Sequence, residues 1–289
     1  MKKCLNCNNQ FESQDWHCPV CNYTPVTIGG NITFAPDLAT ESEGFDAEFF
    51  PQLAKLEAKN FWFRSRNRII IYAIQHYFPH AQTFLEIGCG TGFVLQGIEK
   101  HLPHLTTSGS EIFTEGLKFA TERLCKTNLF QMDARNIPFT NEFDIIGAFD
   151  VIEHIQQDED VIRQMYVATR NGGGIILTVP QHPWLWSPSD THAHHFRRYV
   201  RQNLIYKLQK AGFKVVKATS FVSLLLPLML ISRLKNRHHP QDYDPISEFK
   251  ISSTLNYLLE KILDAERWLI KLGISLPLGG SLLIIAHKS

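Results

Sequence analysis

Along the chain, short apolar runs alternate with longer stretches whose apolar residues recur at helical spacing. Runs at 84–87, 143–149 and 175–179 are nearly continuous in apolar residues and too short for helices, which predicts strands. Residues 105–110 and 128–130 read as two further short strands, 212–219 and 280–288 as a last pair. Between them the spacing predicts helices over 45–58, from about 61 through Phe78, and over 91–101, 200–211 and 255–272. Pro51 falls near the start of the first of these, where proline is tolerated. Strands alternating with helices predict an α/β sheet.

The first apolar strand runs directly into a glycine-dense turn, Phe84-Leu85-Glu86-Ile87-Gly88-Cys89-Gly90-Thr91-Gly92. Glycines that lack a Cβ let the backbone turn tightly and lie against a flat ligand, so such a loop cradles a nucleoside. The dinucleotide fingerprint G-x-G-x-x-G would put its third glycine at Phe93, which does not fit. The order acidic-x-Gly-x-Gly-x-Gly, carried by Glu86, Gly88, Gly90 and Gly92, resembles the first motif of the class I S-adenosylmethionine-dependent methyltransferases.

The resemblance extends through residues 60–219 and the last strand. Open α/β sheets bind ligands at the carboxyl ends of their strands, so the next strand ends carry the expected contacts. Glu111, about 20 residues past the glycine loop, stands where a carboxylate accepts both ribose hydroxyls. Gln131-Met132-Asp133-Ala134 resembles the adenine-contacting segment, with Asp133 accepting from the adenine amine. The run Asp150-Val151-Ile152-Glu153-His154 resembles the motif beneath the methionine part of the ligand. Taken singly, Glu111 reads equally as a solvated strand-end carboxylate and Asp133 as a turn residue bonded to its own backbone. Their common order is what points to a nucleoside site. The resemblance implies a Rossmann-like seven-stranded sheet with the last strand antiparallel and helices on both faces. It also implies S-adenosylmethionine as cofactor.

Before that fold begins, Cys4-x-x-Cys7 and Cys18-x-x-Cys21 form two knuckles. Four thiolates at this spacing suit one structural Zn²⁺ with no open position. A segment of about 25 residues has too little core to fold without such a staple. Residues 1–25 therefore read as a zinc-ribbon-like segment, and 26–43, with Gly29, Gly30 and Pro36, as a linker. Residues 44–289 read as the catalytic domain. The net charge of +1 offers no field toward polyanions, so a nucleic-acid partner is not expected. Met1-Lys2-Lys3 is followed by a polar stretch instead of a signal sequence's apolar segment, which points to the cytoplasm.

Two further segments carry chemistry. The run Asn60-Phe61-Trp62-Phe63-Arg64-Ser65-Arg66 combines aromatics with arginines and resembles the helix covering the cofactor loop in bacterial small-molecule methyltransferases. The loop after the fifth strand holds His182, Asp190, His192, His194, His195 and Arg197-Arg198-Tyr199. Histidine titrates near neutrality, so His182 and His195 are the expected proton acceptors for a methylated hydroxyl or acidic carbon. Hydrogen bonding within a polar loop and metal binding by Asp190 with the three histidines are the alternatives.

Residues 220–279 read as a helical insertion between the last two strands. Its run from Phe221 to Ile231 is too short to span a membrane and is interrupted by Pro227. Arg233, Lys235, Arg237, His238 and His239 follow it, so an apolar lid touching a membrane surface and a buried core helix are both open. The expected function is methyl transfer to a small or lipid-like acceptor. A zinc-ribbon-containing RNA methyltransferase and a cofactor-binding module without activity are the other classes.

Overall fold

The computed structural model describes residues 1–40, 47–236 and 251–289, with the side chains of 234–236 excepted. A small N-terminal sheet pairs β1 (Lys2–Lys3) with β2 (Gln10–Phe11). The main sheet holds β3 (Val26–Ile28), β4 (Asn31–Thr33), β5 (Thr83–Ile87), β6 (Thr106–Glu111), β7 (Asn128–Gln131), β8 (Phe143–Phe149), β9 (Thr169–Pro180), β10 (Phe213–Phe221) and β11 (Ser281–Lys288). Its order is β10-β11-β9-β8-β5-β6-β7-β4-β3. Strands β4 to β9 run parallel in their shared pairs, whereas β11 is antiparallel to both β9 and β10.

The sheet thus has nine strands where seven are expected. The extra two form a hairpin that lies inside the stretch read as a linker. Strands of three residues on either side of Gly29-Gly30 leave too little periodicity to be read. What secures them is the Gln131 side chain, which accepts from Ala35 N (2.9 Å) and donates to the carbonyls of Ala35 and Ile112 (2.8 Å each). The ribbon docks beside this edge. Lys3 N donates to Pro138 O and Thr140 N to Met1 O, both at 2.9 Å, and Trp16 packs edge-on against Phe34 and Phe139.

The continuous apolar strands follow from burial on both faces. On β9, Ile175, Leu177 and Val179 enter one core and Ile176 the other; β11 divides Leu282, Ile284 and Ala286 from Leu283 and Ile285 in the same way. Helices α1 (Phe50–Leu56), α2 (Phe61–Tyr77), α3 (Phe93–His101), α4 (Thr114–Arg123), α5 (Asp158–Ala168), α6 (Pro188–His192) and α7 (Arg201–Lys210) precede α8 (Leu226–Asn236) and α9 (Ser253–Lys271). Core residues of α5 and α7 cover one face of the sheet, and those of α2, α3 and α9 the other.

The insertion contributes α8 and α9. Glu260 on α9 binds Arg64 and Arg68 on α2, while Glu266 accepts from Ser223 N (2.6 Å) and Leu224 N (2.8 Å). The apolar run divides: Leu225 and Leu226 are buried, but Leu224, Leu228 and Ile231 are exposed. Of the basic flank, Arg233 borders the cavity described below. The side chain of Lys235, and Arg237, His238 and His239 entirely, lie outside the described residues. No described helix is long and apolar enough to cross a membrane.

Candidate active site

The carboxyl ends of β5, β6 and β8 open into one cavity of about 990 Å³. The glycine turn forms its floor. Gly88 has φ +67°, and a Cβ there would lie 2.5 Å from Val151 Cγ2; Gly92 has φ +76°, with Leu124 Cδ1 only 2.9 Å from its virtual Cβ. Both backbone shape and close approach therefore require glycine. Gly90, with φ +52°, donates its N–H to Glu111 Oε2 at 2.9 Å.

Glu111 ends β6 and is buried, which raises its pKa. Three N–H groups oppose that shift: Gly90, Ile112 (2.8 Å) and Phe113 (3.3 Å). Its carboxylate is thereby fixed beside the glycine turn. Glu86, the second-last residue of β5, borders the same cavity with one carboxylate oxygen lacking a hydrogen-bond partner. Burial pushes its pKa well up, against the pull of Arg66.

Met132, Asp133 and Ala134 also border the cavity. Asp133 accepts from the backbone N of Arg135 (2.9 Å) and pairs with its guanidinium (3.0 Å), so it is a turn-forming carboxylate as well as a lining one. Asp150 leaves β8 in the left-handed region (φ +57°), accepts from Thr178 Oγ1 (3.2 Å) and pairs with Arg66. The Arg66 guanidinium stacks 4.4 Å over Trp62, so the aromatic-arginine run holds the cation that answers Asp150. Behind the turn, Arg123 Nη1 donates to Glu57 (2.8 Å) and Thr91 (2.7 Å), joining α4, the end of α1 and the loop.

The loop after β9 divides the two expected histidines. His195 borders the cavity; His182 does not, but stacks on Trp184 with ring centroids 5.2 Å apart. Asp190 Oδ1 accepts from His195 Nδ1 (2.9 Å) and from Arg198 Nε (2.7 Å). Burial would raise the Asp190 pKa, but these partners bring it down to about 2. An ionised carboxylate only accepts, so His195 donates from Nδ1 and leaves Nε2 outside that pair. Alongside lie Glu153, fully buried with neither oxygen hydrogen-bonded, and His154, whose ring centroid is 4.6 Å from that of His195. Burial, then the charge of Asp150, pushes the Glu153 pKa well up, whereas burial and then His195 lower that of His154 to about 3. The motif over 150–154 marks these two positions, but nothing in their residue types announces such burial.

The far wall belongs to the insertion, with Leu225, Leu228, Met229 and Leu259 facing the cavity. In the ribbon, Cys4 and Cys21 Sγ are 3.5 Å apart and Cys7 and Cys18 Sγ 3.6 Å. No ribbon residue borders the cavity among those described.

Comparisons with known proteins agree with this geometry. Residues 85–175 match the family described as a methyltransferase domain. Among curated proteins, 2-methyl-6-phytyl-1,4-hydroquinone methyltransferase 1, chloroplastic, of Oryza sativa subsp. japonica is 28% identical over 144 residues, which are 48% of this chain and 43% of that protein. The second rice hydroquinone methyltransferase is 29% identical over 46% of this chain and 39% of its own length. The chain thus spans about two fifths of these relatives. Among solved structures, Haemonchus contortus phosphoethanolamine N-methyltransferase 2 in complex with S-adenosyl-L-methionine superposes with a TM-score of 0.52 at 18% identity, over 77% of this chain and 52% of that one. An O-methyltransferase family protein from Burkholderia thailandensis gives 0.53 at 13%, over 83% and 58%. Residues 85–175 are therefore a methyltransferase domain, within a chain that has the fold of the class I S-adenosylmethionine-dependent methyltransferases.

Proposed function

We propose that the protein moves the methyl group of S-adenosylmethionine to a small, lipid-like acceptor. The observation that carries this reading is the continuity of one cavity, acidic and peptide-lined over the glycine turn and apolar where α8 and α9 face it. In this assignment Gly88, Gly90 and Gly92 let the backbone approach the cofactor. Glu111 takes the ribose hydroxyls, Met132, Asp133 and Ala134 flank the adenine, and Glu86 and Asp150 face the methionine end. The sulfonium is already electrophilic, so the protein's task is to align acceptor, methyl and sulfur and to exclude water. Leu225, Met229 and Leu259 suit an apolar acceptor body, and His195 is the histidine assigned to its polar end. Similar rice enzymes are named for a phytyl hydroquinone, an apolar tail on a polar ring, which fits a cavity of this composition. Leu228, exposed and bordering the cavity, and the exposed Ile231 on the same helix suit contact with a membrane surface from the cytoplasmic side, where a lipid-like acceptor would be met.

We assign Zn²⁺ to Cys4, Cys7, Cys18 and Cys21. Thiolates 2.3 Å from a tetrahedral zinc stand about 3.8 Å apart, close to the two Sγ separations given above. The ion's role is structural. The ribbon's packing through Trp16, away from the cavity, supports that over a grip on RNA.

The test is to incubate the protein with methyl-labelled S-adenosylmethionine and fractionated cell extract. Label in lipid or small-molecule fractions is the expected outcome. Label in RNA would overturn the acceptor class.

A further inference from the structure

Glu153 and His154, in a single 3-10 turn (Ile152–His154) after β8, and His195, in the loop after β9, converge on the cavity, with one ligand atom from each within 4.8 Å of the others. Three features set this cluster apart from an ordinary polar loop. Glu153 is fully buried and neither of its oxygens has a hydrogen-bond partner, a costly state for a carboxylate without a compensating charge. His195 donates Nδ1–H to Asp190, the outer carboxylate that orients metal-bound imidazoles and leaves Nε2 for the ion. The nearby cations are committed elsewhere: Arg66 pairs with Asp150 and Arg198 with Asp190.

We propose that Glu153, His154 and His195 bind one divalent first-row cation whose open positions face the acceptor. Two imidazoles and a carboxylate are an N/O donor set suited to Zn²⁺, Co²⁺ or Fe²⁺, distinct from the four thiolates of the ribbon. Ligand distances of about 2.1 Å require the three side chains to draw together by about an ångström. The site lies on residues other than those assigned to the cofactor, so it stands or falls separately from cofactor binding. Its ligand of interest is an acceptor bearing an oxygen or nitrogen that completes the coordination.

The experiment is a Co²⁺ titration of the full chain with its ribbon already filled with zinc, followed by visible absorption. One Co²⁺ per chain should bind with N/O-type bands and without thiolate-to-cobalt charge transfer. Glu153→Gln and His195→Ala should each weaken that binding by at least about tenfold. S-adenosylmethionine affinity, measured on the same samples, should remain within about twofold and so certifies that the variants are folded; its absence from the unsubstituted protein would count against the cofactor assignment instead. No Co²⁺ binding, binding with thiolate bands only, or equal affinity in Glu153→Gln overturns the site.

Discussion

Arg66 on α2 donates to Asp150 at the end of β8, tying the helix that covers the cavity to the strand end beneath it. Both side chains are mostly shielded from solvent, and Trp62 lies under the guanidinium. Removing one partner of such a pair leaves the other buried and unanswered, at a cost of about 3 kcal/mol. Arg66→Ala should therefore lower stability toward urea by about that amount and weaken S-adenosylmethionine binding together with it. Arg66→Lys should restore only part, since an ammonium cannot reproduce the planar stacking on Trp62. Denaturant titration and calorimetry on both variants check this, and unchanged cofactor affinity in Arg66→Ala would detach the pair from the site.

Glu111 is held by three backbone N–H groups, including that of Gly90. Glu111→Ala leaves those donors unpaired in the apo protein and removes the acceptor proposed for the ribose. Calorimetry should show cofactor affinity reduced by about 1 to 3 kcal/mol. Full affinity would exclude this carboxylate from the ribose site.

Much of this site was legible in the chain. Gly88 and Gly92 could be read because their backbone shape and their crowding by Val151 and Leu124 tolerate nothing else. Glu111 could be read because a strand end at that spacing places a carboxylate beside the turn. The β3–β4 hairpin could not, since its place in the sheet rests on pairing with β7 and on the Gln131 amide holding Ala35, contacts across about 96 residues. Nor could the different placement of His182 and His195, which depends on Asp190 five residues away capturing one imidazole while the other stacks on Trp184. The fate of the apolar run in the insertion was equally hidden, because the turn before α8 and the first residue of α8 bury Leu225 and Leu226 while the same helix exposes Leu228 and Ile231.

Asp158 at the start of α5 accepts from Tyr199 (2.7 Å) and Lys207 (2.6 Å) and pairs with Arg197 (3.0 Å). Burial would raise its pKa, but the bonds from Lys207 and Tyr199 and the charge of Arg197 hold it below the usual carboxylate value. A pKa depressed by folding contributes stability that is whole above the unfolded value of about 3.9 and fades as pH falls toward the folded one. Asp158→Asn should be destabilised by about 2 to 3 kcal/mol at pH 7. The gap from the unsubstituted protein should narrow below about pH 4. A gap that stays constant on acidification would show that packing, not ionisation, sets the loss.

One equivalent of zinc per chain is expected by elemental analysis, and Cys18→Ser should lose it. Because Trp16 belongs to the core shared with Phe34 and Phe139, metal loss should also loosen the β3–β4 edge. Hydrogen exchange should increase over residues 1–34, while the glycine turn, in a separate part of the core, keeps cofactor affinity. Complete zinc retention by Cys18→Ser would place the ion elsewhere.

The insertion allows a test in which two leucines three residues apart answer different questions. Leu225 is 4% exposed and lies within the core shared with Phe221 and Leu263, whereas Leu228 is 53% exposed and Ile231 64%. Leu225→Ser creates a cavity and buries a hydroxyl, so it should cost about 2 to 5 kcal/mol and lower the melting temperature. Leu228→Ser with Ile231→Ser removes only exposed apolar area and should leave stability within about 0.5 kcal/mol. If α8 meets a membrane surface at the cavity entrance, the exposed pair should reduce binding to anionic vesicles and turnover of a lipid-like acceptor, with cofactor affinity unchanged. Vesicle binding and turnover equal to those of the unsubstituted protein would leave the exposed face of α8 with no part in acceptor capture.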